Sequence, residues 1–289
     1  ADARLSSPPI PSKVGGTNFT NSLLVGTDST GTLNAAQKNT GVGVGVFAAL
    51  TSGDLNTAVG FDSLKANTTA NQNTAYGACA LNINTTGDCN TAVGKGSLDA
   101  NTTGTRNIAV GGEALGANTT ASFNNALGYK ALCSNTTGAS NIAIGTCSMR
   151  INTTGAYNIA VGDKALCANQ TGIQNTGIGY LSLCTSTASN NTAVGAYSMK
   201  DNTTGSNNVA FGISALKENT EGDNNTAIGN SSLCNNTTGE TNVAVGHSAL
   251  FASTTGSSNV AVGNGAMCTT TTGAGNTAIG ECAMKANTE

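Results

Sequence analysis

The sequence predicts an all-β protein that folds as a parallel β-solenoid (a β-roll or β-helix) of about fifteen coils with seventeen residues each. Three observations support this fold class. A unit of seventeen residues recurs at constant spacing, its apolar residues keep a fixed phase, and glycine or Asn-Thr-Thr-Gly marks its corners. Solenoids grow by stacking such units along one axis. The asparagine that opens each unit, position 0, is found at Asn39, Asn56, Asn73, Asn90, Asn107, Asn124, Asn141, Asn158, Asn175, Asn191, Asn208, Asn225, Asn242, Asn259 and Asn276.

The first positions of each unit predict a short strand. Position 2 is alanine everywhere except at Gly41 and Gly177, position 3 is apolar in every copy, and position 4 is always glycine. A short run of this kind bounded by turn residues is of β type. A helix is excluded because a glycine in every copy would cost roughly 1 kcal/mol each in a helix interior.

The strand is expected to have two apolar sides, because adjacent side chains of a β-strand point to opposite faces. Alanine at position 2 suits the interior of a narrow coil, so the larger residues at position 3 need a second cover. Either the coil folds so that both sides are internal, or a neighbouring chain covers position 3. We expect the neighbouring chain, since a continuous apolar stripe would be a large exposed patch on a monomer. The stripe includes Ile144, Val161, Ile178, Val194, Phe211 and Ile228.

The chain divides into three parts. Residues 1–20 contain all three prolines and are predicted to be an extended arm. Residues 21–38 imitate the strand of the repeat and are predicted to be a degenerate first coil or cap. Residues 39–289 form the solenoid, in which one copy, 175–190, has sixteen residues; its missing residue is placed at a corner beyond Cys184.

The asparagine columns have two interpretations. At position 0, stacked asparagines are expected to hydrogen-bond along the stack and to satisfy corner backbone groups; this ladder includes Asn141, Asn158, Asn175, Asn208 and Asn225. At position 11 the asparagines lie in glycosylation sequons. They are glycan acceptors if they point outward, or residues of a β-corner. These residues are Asn67, Asn84, Asn101, Asn118, Asn135, Asn152, Asn169, Asn202 and Asn236.

The nine cysteines concentrate at positions 9 and 6 of the unit. Those in one column of adjacent coils would have Cα atoms about 4.8 Å apart, within the range of a disulfide. Pairs that join position 9 to position 6 of the next coil need a sharp turn. Each cysteine is alternatively a small buried hydrophobe. This frequent use of cysteine favours an oxidising, extracellular setting. The candidate disulfides are Cys167–Cys184, Cys133–Cys147, Cys268–Cys282 and Cys79–Cys89, with Cys234 left over.

Composition argues against several functions. The net charge is −3 without a basic cluster, which disfavours nucleic-acid binding. No apolar run approaches the length of a membrane span. His247 is the single histidine and no Cys-x-x-Cys motif occurs, so no metal site, cofactor or catalytic centre is predicted, and the chain is not expected to be an enzyme.

The strand motif, seen in Asn158-Ile-Ala-Val-Gly162 and Asn191-Thr-Ala-Val-Gly195, resembles the Asn-Ser-x-Ala-Ile-Gly coil in the head domains of trimeric autotransporter adhesins. The longer motif, Asn-Thr-Ala-x-Gly-x-x-Ala-Leu-x-x-Asn-Thr-Thr-Gly, is similar to repeats of phage-type tail-fibre proteins and long bacterial surface proteins. The resemblance covers residues 39–289. It implies a left-handed parallel β-roll wound as a trimer, although the coil here is longer than the adhesin coil.

These observations predict a non-enzymatic structural subunit of an extracellular fibre or filament, located outside the cell or on a cell or virion surface. The subunit would self-associate head to tail through unpaired strand edges at the solenoid ends, or through the Val/Ile stripe. One alternative is a parallel trimer, a tail-fibre shaft or adhesin head that binds a host surface or glycan. Another is an ice-binding protein, with a rank of threonines at position 13 formed by Thr69, Thr86, Thr103, Thr137 and Thr154.

Overall fold

The computed structural model describes residues 12–14, 18–26 and 31–285, and for 12–14 the backbone alone. Within these residues the protein is all-β, without a helix, and forms a parallel β-solenoid of about fifteen turns, which confirms the predicted fold class. The strands are Ser12–Val14 (β1), Phe19–Thr20 (β2), Leu23–Val25 (β3), Ala36–Gln37 (β4), Thr40–Val42 (β5), Thr57–Val59 (β6), Thr74–Tyr76 (β7), Thr91–Val93 (β8), Ile108–Val110 (β9), Asn125–Leu127 (β10), Ile142–Ile144 (β11), Ile159–Val161 (β12), Thr176–Ile178 (β13), Thr192–Val194 (β14), Val209–Phe211 (β15), Thr226–Ile228 (β16), Val243–Val245 (β17), Val260–Val262 (β18) and Thr277–Ile279 (β19).

The chain comprises two compact units, Ala1–Phe123 and Asn124–Glu289. In the first unit, β3 and β5 to β9 pair in parallel, each with the next. In the second unit, β10 to β19 do the same. Equivalent residues of successive coils face each other, as in Ala143 opposite Ala160. This register follows from the constant period, because every side chain meets its own counterpart one coil away.

The N-terminal residues extend the first unit. Strand β3 lies beside β5 in the register of the repeat, and Leu24 is buried as position 2 is elsewhere. Strand β1 pairs antiparallel with β3 and covers its other edge. Residues 1–11, most of the predicted arm, lie outside the described residues.

The backbone between the strands is also hydrogen-bonded from coil to coil. In the turn after β12, the amide of Leu166 donates to the carbonyl of Ser182 at 2.9 Å, and the amide of Ala168 donates to that of Cys184 at 2.9 Å. Turns would otherwise leave polar groups unpaired in the interior, which costs free energy. Stacking therefore satisfies the corners as well as the three-residue strands.

The interior of each coil is narrow. Before the last coil, alanine at position 2 and leucine or methionine at position 8 are buried, as in Ala160 and Leu166, whereas Met284 in the last coil is 40% exposed. The exception at Gly41 has a packing reason. A Cβ atom there would lie 2.5 Å from Cδ1 of Leu24, because the larger Leu24 fills the space one coil earlier. The large Leu24 and the small Gly41, which are neighbours in this column, thus compensate each other in volume.

Glycine at position 4 is required for two separate reasons. Gly162 has φ of +137°, a conformation that L-residues rarely adopt. A Cβ atom on Gly162 would also lie 2.5 Å from the carbonyl oxygen of Gly179 in the next coil. The invariance of this column therefore reflects both a backbone conformation and a close approach between coils.

Three further positions of each coil are left-handed although most of their residues are not glycine. Positions 6, 8 and 16 have φ near +55°, as in Lys164 (+55°), Leu166 (+51°) and Tyr157 (+59°). Turn chemistry favours glycine, asparagine or aspartate at such places. Sequence reasoning did not identify these positions, because leucine and tyrosine carry no turn signal.

The shortened coil, 175–190, lacks position 13. The amide of Thr187 still pairs with the carbonyl of Thr203, as position 12 does elsewhere. The next residue, Ala188, already accepts the hydrogen bond from Nδ2 of Asn175 that position 14 accepts in other coils. The deletion thus falls at an exposed corner beyond Cys184, and Leu183 at position 8 stays fully buried.

Candidate functional surfaces

The outer side of the strands carries two ranks of side chains. Position 2 points inward, so positions 1 and 3 both point outward. We call the outward residues of β10 to β19 the strand face. It contains fifteen apolar residues, four threonines and one asparagine, and no charged residue: Asn125, Leu127, Ile142, Ile144, Ile159, Val161, Thr176, Ile178, Thr192, Val194, Val209, Phe211, Thr226, Ile228, Val243, Val245, Val260, Val262, Thr277 and Ile279.

All six residues of the predicted stripe lie on the strand face, partly or largely exposed, with Phe211 at 53%. None of them is covered by its own coil. Sequence reasoning missed the companion rank at position 1, although the isoleucines and valines there, such as Ile159 and Val209, gave a signal. Ten strands spaced about 4.8 Å apart, with two ranks about 7 Å apart, give this face an area on the order of 500 Å².

The asparagines at position 0 form a continuous hydrogen-bond ladder within each unit. In Asn158, Nδ2 donates to the carbonyl of Gly172 at 2.8 Å and to Oδ1 of Asn141 at 3.2 Å. Its Oδ1 accepts from the amide of Asn175 at 2.9 Å. Further along the second unit, Nδ2 of Asn208 and of Asn225 donates to the carbonyls of Gly222 and Gly239, and the backbone amide of each donates to Oδ1 of the preceding asparagine. The column therefore joins successive coils through side chains as well as backbone.

The asparagines at position 11 form a second buried ladder. Nδ2 of Asn152 donates to Oδ1 of Asn135 at 2.8 Å and to the carbonyl of Gly155 at 3.0 Å. All nine sequon asparagines are 0% exposed. A glycan is bulky and needs a surface position. This geometry argues against glycans on these residues in the folded protein and favours the corner interpretation.

The threonines at positions 12 and 13 differ in environment. At position 12 the hydroxyl donates to the carbonyl of the next coil, as in Thr136 to Thr153 at 3.1 Å. At position 13 the side chains are exposed, including the five predicted residues. The exposed threonines therefore form one column, whereas a flat ice-binding face would need two.

Cys167 and Cys184 are brought together. Their Sγ atoms are 3.3 Å apart, and both residues are partly exposed. The hydrogen bond from Cys184 lowers the pKa of Cys167 to about 6, with Arg150 and Lys164 adding to the effect and burial opposing it. Cys184 retains the shared proton, so its pKa is raised.

The predicted disulfides are not confirmed, because all nine cysteines are unbonded in the structure. Cys268 and Cys282 both approach the space beside Gly265, where a Cβ atom would lie 3.9 Å and 3.6 Å from their sulfurs. Cys133 instead contacts the carbonyl of Arg150 at 3.4 Å. Cys89 contacts Oε1 of Gln72 at 3.2 Å. Cys234, the unpaired cysteine, is buried, and this raises its pKa.

The remaining polar groups are scattered over the surface of the described coils. Among the described residues, no group of three or more His, Cys, Asp and Glu side chains is placed to hold a metal ion. His247 is exposed, with Nδ1 3.2 Å from Oδ1 of Asn264. An open groove of about 360 Å³ in the first unit is lined by polar residues, among them Asp88 and Arg106. No helix in the part of the chain that the structure describes could cross a membrane.

The fold and its columns define the protein as a β-solenoid repeat protein. No protein-family model matches the chain, and a search of curated proteins finds no significant match. The strand face and the cysteine pair are the features of the molecule that bear on its function.

Proposed function

We propose that this protein is a non-enzymatic structural subunit of an extracellular fibre, and that copies associate side by side through the strand face. The observation that supports the proposal is the uncharged double rank of side chains on β10 to β19, of which fifteen are apolar. Soluble monomers rarely expose contiguous apolar patches above a few hundred Å². A second copy of the chain is the partner that this face suits, because its repeat period is the same.

The matching period gives the association its register. Two strand faces in contact present side chains at the same spacing of about 4.8 Å, so each rank packs against another along its length. Two faces of this size together bury about 1,000 Å², near the lower limit for a specific interface. A three-fold arrangement would bury more for each chain. In the first unit, β9 presents a similar outward pair, Ile108 and Val110, whereas β5 to β8 present threonine at position 1 and an apolar residue at position 3.

The rival proposal is a parallel trimer, an adhesin head or tail-fibre shaft, with the same face at its axis. Such a trimer would present its corners and outer loops to a host surface or glycan. The interface residues are common to both proposals, so mass and particle length separate them. An extracellular location accords with the cysteine usage. The single threonine column at position 13 gives the ice-binding alternative less support.

The test is a pair of matched substitutions. Ile178→Lys places a charge on the strand face, and Ile173→Lys places the same charge five residues earlier, outside it; the two isoleucines are 38% and 42% exposed. Burying an unpaired charge costs several kcal/mol. We expect Ile178→Lys to convert assembled protein to monomers, while Ile173→Lys leaves assembly unchanged.

The readouts are light scattering coupled to size exclusion and electron microscopy of negatively stained material. Filaments in the unsubstituted protein support the fibre, and short particles of trimeric mass support the rival. An unsubstituted protein that stays monomeric at high concentration overturns both. Equal effects of the two substitutions would show that the strand face is not the interface.

A further inference from the structure

Cys167 and Cys184 differ from the other seven cysteines because their two sulfur atoms lie close together. Both residues occupy position 9 of adjacent coils, and their Sγ atoms lie 3.3 Å from each other. Within the described residues, no other two cysteine sulfurs lie within hydrogen-bonding distance. Both side chains are half-buried, so a small reagent in solvent has access to them.

Three cationic side chains surround the pair. Arg150 occupies position 9 of the preceding coil, and Lys200, which forms an ion pair with Asp201 at 3.2 Å, occupies position 9 of the following one. Lys164 lies on the same coil as Cys167, and its charge, with that of Arg150, favours the Cys167 thiolate. Asp163 opposes them more weakly. Positive neighbours and a hydrogen-bond donor are the usual surroundings of reactive cysteines.

We propose that Cys167 and Cys184 form a redox-active dithiol that reacts with small anionic disulfides of the oxidised-glutathione class, with Cys167 as the attacking residue and Cys184 as the resolving residue. The adjacent coils hold the two Cα atoms about 4.8 Å apart, inside the disulfide range. Bond formation therefore needs side-chain rotation but no separation of the coils. This inference is independent of the proposed self-association.

The reaction balances in two exchange steps. The Cys167 thiolate attacks one sulfur of the small disulfide, a mixed disulfide forms, and one small thiolate leaves and takes a proton from solvent. Cys184 then loses its proton to water, and its thiolate attacks Sγ of Cys167. The second small thiolate leaves and is protonated. Two protein thiols have been oxidised to one disulfide, and one small disulfide has been reduced to two thiols.

The pH dependence gives the reaction a signature. The Cys184 thiol, Arg150 and Lys164 lower the pKa of Cys167 to about 6, so its thiolate persists at pH 6, where an unperturbed thiol is almost fully protonated. The lower nucleophilicity of a low-pKa thiolate offsets part of that advantage. Cys167 is therefore expected to react on the order of 10-fold faster than an ordinary thiol at this pH.

The experiment uses the full reduced chain, oxidised glutathione at pH 6 and at pH 8, an acid quench with alkylation, and peptide mapping by mass spectrometry. We expect the Cys167–Cys184 disulfide to appear first at pH 6. Cys184→Ser retains a hydroxyl donor and should stop at the glutathione adduct on Cys167. Cys167→Ser should leave Cys184 unmodified. Cys133→Ser, at position 9 of another coil, is the control and should not change the rate.

Two results would overturn the proposal. One is labelling of Cys167 at pH 6 no faster than that of Cys147 or Cys282, which would show that Cys167 is not activated. The other is an adduct on Cys184 rather than on Cys167 in the single-serine variants, which would reverse the assigned roles. The modification rates are measured on folded protein, and circular dichroism of each variant checks that it has folded.

Discussion

Asn169 and Ser186 occupy position 11 of adjacent coils, and the second asparagine ladder is interrupted between them. Nδ2 of Asn169 donates to Oδ1 of Asn152 at 3.1 Å, but its own Oδ1, although buried, has no partner among the described residues. Where an asparagine follows, it donates to that oxygen, as Asn152 does to Asn135. The hydroxyl of Ser186 is too short to do so, and Oδ1 of Asn236, which precedes Ser253, lacks a partner in the same way. The ladder resumes beyond, where Nδ2 of Asn202 donates to Oγ of Ser186 at 3.2 Å.

This interruption predicts that Ser186→Asn stabilises the protein. The new carboxamide would donate to Oδ1 of Asn169 and accept from Nδ2 of Asn202, so that no oxygen there remains unpaired. An unsatisfied buried polar group costs about 1–3 kcal/mol, and we expect a gain of about 1 kcal/mol, seen as a higher Tm. Ser186→Ala removes one of the two acceptors of Asn202 Nδ2 and should lower the Tm. A lower Tm for Ser186→Asn would contradict the ladder interpretation.

The two ladders show how far sequence reasoning extends. Identical columns at constant phase predict the period, the strand and the inward alanine, because each depends on local alternation alone. The sequons are different. In isolation Asn-Thr-Thr-Gly has the composition of an exposed corner, and only stacking, which brings Asn135 beside Asn152, buries its asparagine. Positions 6, 8 and 16 were missed for a similar reason, since inter-coil hydrogen bonds hold residues such as Leu166 in a conformation that their own preferences oppose.

A second prediction separates backbone strain from collision at position 4. Gly162→Ala and Gly280→Ala both place a side chain at strongly positive φ, +137° and +126°, which costs about 1–3 kcal/mol. The Cβ atom at Gly162 would also meet the carbonyl oxygen of Gly179 at 2.5 Å, whereas at Gly280 the nearest atom is Cβ of Ala283 at 4.0 Å.

We therefore expect Gly162→Ala to lower the free energy of unfolding by about 1–3 kcal/mol more than Gly280→Ala, since overpacking adds to the strain. Chemical denaturation and hydrogen exchange of the coils flanking Gly162 measure the difference. Similar losses in both variants would show that the coils separate enough to admit a methyl group.

A third prediction concerns the left-handed position 16. Tyr157 has φ of +59° and is 65% exposed, so its side chain contributes little packing there. Other coils place asparagine at this position, for example Asn190 and Asn207, also with φ near +60°. Asparagine tolerates this conformation, whereas a β-branched residue does not.

Tyr157→Asn should accordingly raise the free energy of unfolding by about 0.5–1 kcal/mol, and Tyr157→Val should lower it by about 1 kcal/mol. Thermal unfolding of the two variants beside the unsubstituted protein is the measurement. The opposite order would mean that Tyr157 makes a packing contribution larger than its backbone strain.

The last prediction tests the asparagine ladder at position 0 by placing a carboxyl group in it. Asn158→Asp replaces Nδ2 by an oxygen that would face the carbonyl of Gly172 at 2.8 Å and Oδ1 of Asn141 at 3.2 Å. Burial among acceptor oxygens favours the protonated acid, so the folded-state pKa of the introduced carboxyl should lie above its unfolded value of about 3.9. The folded state then binds more protons, and stability falls as the pH rises through the folded-state pKa.

At pH 7 the substitution should destabilise the protein by about 3–5 kcal/mol, since it leaves an unpaired buried charge. Part of this loss should be recovered near pH 4, where the proton restores one donor. The control is Asn207→Asp, at an exposed position that also tolerates φ near +60°; it should show almost no loss and no such pH dependence. Urea unfolding at the two pH values measures both variants, and a loss in Asn158→Asp that is independent of pH would show that water reaches the ladder.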